Sequence, residues 1–372
     1  KLPYFGKPFT WNMLHNFGGA MGLYGNSHNV MHGVDDIRGE PNFSGVGVTM
    51  EATLQNYPMY EMALELAWYD LSKASRQEWF IKYAARRYAI NVKSANAMEL
   101  VALNAWSMLA ETVYNCGLDK TDQTPQTKMA RRPALEIRGN TLKCYSVEEF
   151  KPIAQLFLTA VQDQDLAGEY TFVHDFVDVT RQLMSVQFAD WHHQHTAAYR
   201  KKDLSAVRKL AGKMLISMAR LNQLLSPFPF FCLDSQVKDA VKWADSEVSP
   251  EMYIWNVRNQ LTLWGPDGNV LDYRTAELSG LINSYYLQRW KIYVKWVDHA
   301  LKSNQKEADW QKEYLKEVKE FEQSWQHPSA EDVQDAIDDS LRDDDGFDVT
   351  SGLAFAVQTM EDYLNDKEHE DV

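Results

Sequence analysis

The sequence predicts a mainly α protein: a short β/α piece over residues 1–66, a large all-α body over 67–325 and an acidic tail over 326–372. Three observations carry this. Two short runs of strand character, at residues 8–14 and 43–50, flank a glycine-dense stretch. From about Asn56 onward apolar residues recur with helical period. Residues 326–372 then hold 15 Asp or Glu against 2 Lys or Arg, a net of −13, which leaves −1 of the total −14 for everything before them.

The elements follow in order. "PFTWNML" (8–14) reads as a strand, "HNFGGAMGLYGN" (15–26) as a loop, and "FSGVGVTM" (43–50) as a second strand. Two strands do not make a stable sheet alone, so the first piece implies partners, most simply the rest of a β/α domain ahead of Lys1. A start on Lys1 rather than methionine suggests a fragment or a processed chain. In the body, Phe172, Phe176, Val179, Leu183 and Val186 repeat at spacings 4, 3, 4, 3, lining one helix face. Val207, Leu210, Met214, Met218, Leu221 and Leu225 do the same. Ser146 with Glu149 forms a capping-box pattern, and Ser249 before Pro250 reads as an N-cap with proline at the first helical position. Breaks fall at "SPFPFF" (226–231) and "GPDGN" (265–269), which makes about eight to ten helices between 56 and 325. The tail reads as disordered or weakly helical, with an apolar run, "GLAFAV" (352–357), that this reading does not explain.

Composition excludes several classes. With 45% hydrophobic and 24% charged residues the chain is an ordinary globular one. No run of about 18 apolar residues exists for a membrane span, and "KLPYFGKPFTW" lacks the pattern of a signal peptide. No basic stripe is present, which argues against nucleic acid. Cys116, Cys144 and Cys232 lack zinc spacing; one disulfide plus a free thiol and three reduced thiols both fit. In "WHHQH" (191–195), His192 and His195 share a helix face, but no second cluster completes a metal site, and the segment reads as a solvated helix end. "GVGVTM" lacks the third glycine of a dinucleotide fingerprint, and "DDDGFD" (343–348) would put Leu341 and Gly352 at calcium-ligand positions. No metal and no cofactor are therefore called for. Asn42 in "NFS" fits a glycosylation acceptor if the protein is secreted.

Two stretches could carry chemistry. Glu51 directly follows "GVGVTM", the place where a (β/α)₈ barrel presents functional side chains, at the C-terminal end of a strand. Trp11, His15 and Asn16 would be neighbours on that face. Equally, Glu51 could be a helix N-terminal acid favoured by the dipole. In "LTLWGPDGNVLDY" (261–273), Trp264 and Tyr273 offer flat faces suited to a sugar ring, or they plug a join between helices. The arginines of "AARRY" (84–88), "RRP" (131–133) and "YYLQRW" (285–290) read as structural anchors for buried carboxylates such as Asp175 or Asp178.

Together "KPFTWNMLHNFGG", "GVGVTMEATLQN", "AARRY", "VYNC", "RRPAL", "DVTRQ", "NQLTLWGPDGNVLDY" and "YYLQRW" resemble, in this order, blocks of the α-N-acetylglucosaminidases, glycoside hydrolase family 89, from about Tyr4 to Trp325. The resemblance implies the C-terminal end of a (β/α)₈-like barrel followed by an all-α domain. It implies a retaining exo-glycosidase that releases terminal α-linked N-acetylglucosamine from glycans such as heparan sulfate, in a lysosomal or secreted setting. Glu51 then falls on the nucleophile, and Trp264, Val270 and Tyr273 on the helical wall of the sugar pocket. The acid/base glutamate belongs to an Asn-Glu pair on an earlier strand outside this chain, so the chain alone is expected to be catalytically silent. Ala52 stands where the family usually has glycine. The competing expectation is a non-catalytic helical interaction or sugar-binding module.

Overall fold

The computed structural model describes residues 3–16, 18–52, 55–116, 127–137, 144–245, 249–265, 268–341 and 352–366. Residues 343–348, and Pro266 and Asp267 of the expected turn, lie outside them. The chain divides into two compact units: residues 1–126 with 140–179, and residues 127–139 with 180–372.

In the first unit the two expected strands form as β1 (Phe9–Met13) and β2 (Phe43–Val48), paired in parallel with Trp11 opposite Val46 and Met13 opposite Val48. Parallel pairing requires a crossover, and the connection contains helix α1 (Ser27–Met31), capped by Asn26. After β2 come α2 (Tyr57–Glu65), α3 (Arg76–Arg87) and α4 (Ala97–Thr112), then α5 (Val147–Ala160), α6 (Gln164–Gly168) and the first part of α7 (Tyr170–Arg200). Ser146 and Glu149 make the reciprocal capping bonds at α5 that their spacing predicts. The core is aromatic: Phe80, Trp106, Tyr114, Phe150, Phe157 and Phe172 are all buried. Its polar centre is Asp175, gripped by Arg87 through paired bonds of 2.6 and 2.7 Å and by the Tyr88 hydroxyl at 2.7 Å. Gly25 is obligatory here, because a Cβ would lie 2.4 Å from Met59 Sδ. Cys116 and Cys144 form a disulfide with Cα atoms 5.4 Å apart, and Cys232 is a free thiol.

The second unit holds the rest of α7, then α8 (Leu204–Leu225), α9 (Leu233–Val241), α10 (Pro250–Leu261), the hairpin β3 (Leu263–Trp264) and β4 (Val270–Leu271), α11 (Leu287–Ser303), α12 (Glu307–Gln326), α13 (Ala330–Ser340) and α14 (Leu353–Leu364). Residues 127–137 have no regular structure, so their carbonyls need side-chain partners. They find them in sequence: Trp290 Nε1 donates to Met129 O, Arg289 to Ala130 O, Tyr314 to Pro133 O and Thr196 to Leu135 O, at 2.7 to 2.9 Å. His192 Nε2 lies 2.8 Å from Ala134 O.

Two expectations change. "WHHQH" is not a solvated helix end: His192 and His195 are 2% and 0% exposed, one braced on Ala134 and the other beside Tyr293. Burial lowers their pKa values to about 3 and about 4. The tail is not an unstructured extension over the residues described. The unexplained "GLAFAV" run opens α14, which buries Ala356, Met360 and Tyr363 and packs on α8. Tyr363 donates to Ser217 at 2.7 Å, and Arg220 pairs with Asp362 at 2.8 Å. Among the described residues no helix is long and apolar enough to cross a membrane, and no group of three or more His, Cys, Asp or Glu could hold a metal ion.

Candidate active site

Glu51 stands three residues past the end of β2. Its side chain is exposed, and Oε2 accepts the backbone N–H of Gly18 at 2.5 Å. Gly18 and Gly19 have φ of 68° and 77°, a left-handed path that favours glycine. The glycine-dense loop after β1 therefore presents a main-chain donor to the carboxylate after β2. Behind it is a buried polar group. Tyr60 donates to Asn16 Oδ1 at 3.1 Å, and Gln55 Nε2 reaches the Tyr60 hydroxyl and the Ala52 carbonyl at 3.0 Å each. The Asn56 side chain ties Gly22 O to Tyr24 N. These bonds tie the chain just after Glu51 to the loop after β1.

His15 is 7% exposed and stacks on Tyr24, with Tyr60 edge-on; burial brings its pKa down to about 4, so it is a neutral imidazole at pH 7. The Trp11 ring packs over Gly33, where a Cβ would meet it at 2.6 Å. Asn42 lies half-buried at the turn into β2, its carbonyl accepting from Phe9 N.

Trp264, Val270 and Tyr273 gather on one hairpin of the second unit. Trp264 pairs across the strands with Val270, both a little over a third exposed, and the Trp264 and Tyr273 rings lie 5.3 Å apart. Asn259 braces the turn: Nδ2 donates to Leu263 O at 3.1 Å, and Oδ1 accepts Gly265 N at 3.3 Å. The far end is rooted in a buried ionic cluster. Asp272 accepts from Arg289 at 2.9 Å and from Arg132 N at 2.6 Å; Glu322 accepts from Arg289 at 3.0 Å and from both arms of Arg132. Burial raises the Asp272 pKa, opposed by Arg289. Two guanidiniums against two carboxylates leave the cluster neutral, which is how such groups are tolerated without water.

Sequence reading missed the Gly18 donor, the Asn16–Tyr60–Gln55 group and the Asn259 brace. Gly18 had a signal, the density of glycines beside a strand end. The other two join residues whose types are common anywhere.

A parallel strand pair with a carboxylate three residues past its end, followed by all-α structure, fits the C-terminal part of a barrel with its helical companion. The comparisons agree on that class. Residues 2–70 match the α-N-acetylglucosaminidase TIM-barrel domain, and residues 79–343 match its C-terminal domain. Human α-N-acetylglucosaminidase is 33% identical over 293 residues, 78% of this chain and 38% of that protein. Among solved structures, a doubly substituted CpGH89 from Clostridium perfringens in complex with its substrate GlcNAc-α-1,4-galactose has a TM-score of 0.76 at 22% identity, covering 94% of this chain and 39% of that one. The Clostridium perfringens family 89 glycoside hydrolase in complex with PUGNAc has a TM-score of 0.73 at 21% identity, over 95% of this chain and 39% of that one. The chain belongs to the α-N-acetylglucosaminidase family, glycoside hydrolase family 89. It spans about two-fifths of the length of these relatives.

Proposed function

We propose that this chain is the nucleophile-bearing portion of a retaining exo-glycosidase that removes terminal α-linked N-acetylglucosamine from glycans such as heparan sulfate. The observation that carries this is the position of Glu51 past a parallel strand, with Gly18 N–H on Oε2. That bond orients the carboxylate and leaves Oε1 for attack. Oε1 bonds to the anomeric carbon as the glycosidic C–O bond breaks. The departing oxygen takes a proton from a second carboxyl group, about 5–5.5 Å away in retaining enzymes. Water, deprotonated by that second group, then releases the sugar with its original configuration. The second group belongs to an Asn-Glu pair on another strand of the full barrel, so these 372 residues alone are inactive. Trp264, Val270 and Tyr273 would orient the ring from the helical domain, and Trp11 and His15 would bind substrate from the barrel portion. The first boundary, near residue 66, separates barrel from helical domain. The Cys116–Cys144 disulfide fits an oxidising setting, lysosomal or secreted.

The test is Glu51→Ala in the full protein with a chromogenic α-N-acetylglucosaminide. Turnover should fall at least ~1,000-fold and return with azide, yielding the β-configured glycosyl azide because the small nucleophile enters from the vacated face. Turnover that survives the substitution removes Glu51 from the chemistry.

A further inference from the structure

The second unit contains a cleft of about 790 Å³ lined by Trp255 of α10, Leu263 and Gly268 of the hairpin, and the α12 side chains Lys319, Gln323 and Gln326. Side chains alternate across a strand, so Leu263 places this cleft on the hairpin face opposite Trp264. We propose that it binds a short acidic saccharide, one bearing a carboxylate or a sulfate ester.

The recognition chemistry starts from α12. Lys319, Gln323 and Gln326 are spaced 4 and 3 apart, which puts them on one helix face. They cover roughly 10 Å along the axis, the reach of about two pyranose rings. The face is rich in donors. An ammonium offers three and accepts none, and each amide offers two. Gln326 is 8% exposed, and its Nε2 has no partner among the described residues. An unmet buried donor is unfavourable, so an acceptor supplied by a ligand relieves it. Lys319 is exposed and makes no ion pair among the described residues. The carboxylate in the wall, Glu322, is fully buried and already neutralised by Arg132 and Arg289. With Arg132 paired to Glu322, Lys319 is the one unpaired Lys or Arg among the described lining residues, and His327 adds an exposed imidazole to the same lining. The half-buried indole of Trp255 supplies a flat face for ring C–H groups. A ring with many acceptors and one negative charge satisfies all of these. A phosphate dianion is a poorer match, because the described lining includes neither a second unpaired Lys or Arg nor a nest of backbone amides.

The experiment is saturation-transfer NMR titration of the full protein with glucuronic acid, glucose 6-sulfate, glucose and adenosine monophosphate. These probes lack the acetamido group, so the outcome is independent of Glu51 and of the glycosidase reading. At least one acidic sugar should bind tenfold or more tighter than glucose, and the two acids together tell carboxylate from sulfate. Lys319→Glu, at an exposed position, should abolish that preference. Gln326→Leu removes an unmet amide, so it should leave the unfolding temperature equal or higher while weakening the acidic sugar at least fivefold. Equal binding of glucose and both acids, a preference that persists in Lys319→Glu, or adenosine monophosphate as the tightest ligand would overturn the proposal.

Discussion

The backbone N–H of Gly18 lies 2.5 Å from Glu51 Oε2, across 33 residues of sequence. Loop and strand end are thus one device: the left-handed φ of Gly18 aims its N–H, and the N–H sets the carboxylate. A side chain at Gly18 would cost about 1–2 kcal/mol in that conformation. If Glu51 has the proposed role, Gly18→Ala in the full protein should lower kcat by about tenfold with little change in KM, since it would disturb the attacking group rather than the proposed sugar wall. Steady-state kinetics on the aryl substrate decide this; an unchanged kcat would mean that the bond does not position Glu51.

Asp175 gives the first unit an acid-sensitive centre. Burial raises its pKa, but Arg87 and His174 overcome that and bring it down to about 2. A folded value below the unfolded 3.8 means that its stabilisation is complete above pH 3.8 and is lost as pH falls through about 2. The linked contribution is roughly 2 kcal/mol. Asp175→Asn leaves Arg87 buried without its counter-charge and should cost about 3–5 kcal/mol at pH 7. Denaturant melts between pH 7 and 2 should show the variant less stable throughout, with a flatter profile below pH 4.

His195 acts in a higher pH range. Both its ring nitrogens are buried without partners among the described residues, and burial lowers its pKa to about 4. The unfolded chain takes the proton near pH 6.5, ahead of the folded one, so the folded state loses ground as pH drops from 6.5 toward 4. His195→Phe forfeits no hydrogen bond. It should be near neutral at pH 7.5 and gain roughly 2 kcal/mol relative to the parent at pH 5. Thermal melts at the two pH values test it; an equal change at both would place the effect in packing.

Helix α14 should be a working part of the second unit. Met360 and Tyr363 are buried, at 0% and 3% exposed, where α14 packs on α8. Removing residues 352–372 should cost roughly 4 kcal/mol from these two side chains and lower the unfolding temperature by several degrees. Gly352→Ala should do the same more mildly, because its φ is 81° and a Cβ would lie 2.6 Å from Pro227. Scanning calorimetry would show no shift for either variant if α14 were a passive appendage.

Local chemistry was legible in the residues. The α5 capping box, the long apolar stripes of α7 and α8, the breaks before α9 and within the hairpin, and both strands follow from spacings of two to four residues. Such patterns act within one element and need no knowledge of its neighbours. The arginine anchors were legible in type, because a guanidinium near turns and aromatics seeks a carboxylate. Their partners were only half so. Asp175, one of two carboxylates expected for the arginine stretches as a group, pairs with Arg87, whereas Arg132 and Arg289 share Glu322, 190 and 33 residues away.

By itself, then, the sequence determined the helical body, the strand ahead of Glu51, the turn between Trp264 and Tyr273, and the family blocks that join them. Only the tertiary structure decided that Cys116 meets Cys144, that His192 and His195 of "WHHQH" are buried, the first against Ala134, that an acidic tail hides an apolar helix, and that Gly18 holds Glu51. The reason is physical. Periodicity and capping record free energies earned within a turn or two of chain, while burial and long-range hydrogen bonds depend on which distant segments the fold brings within about 3 Å of each other.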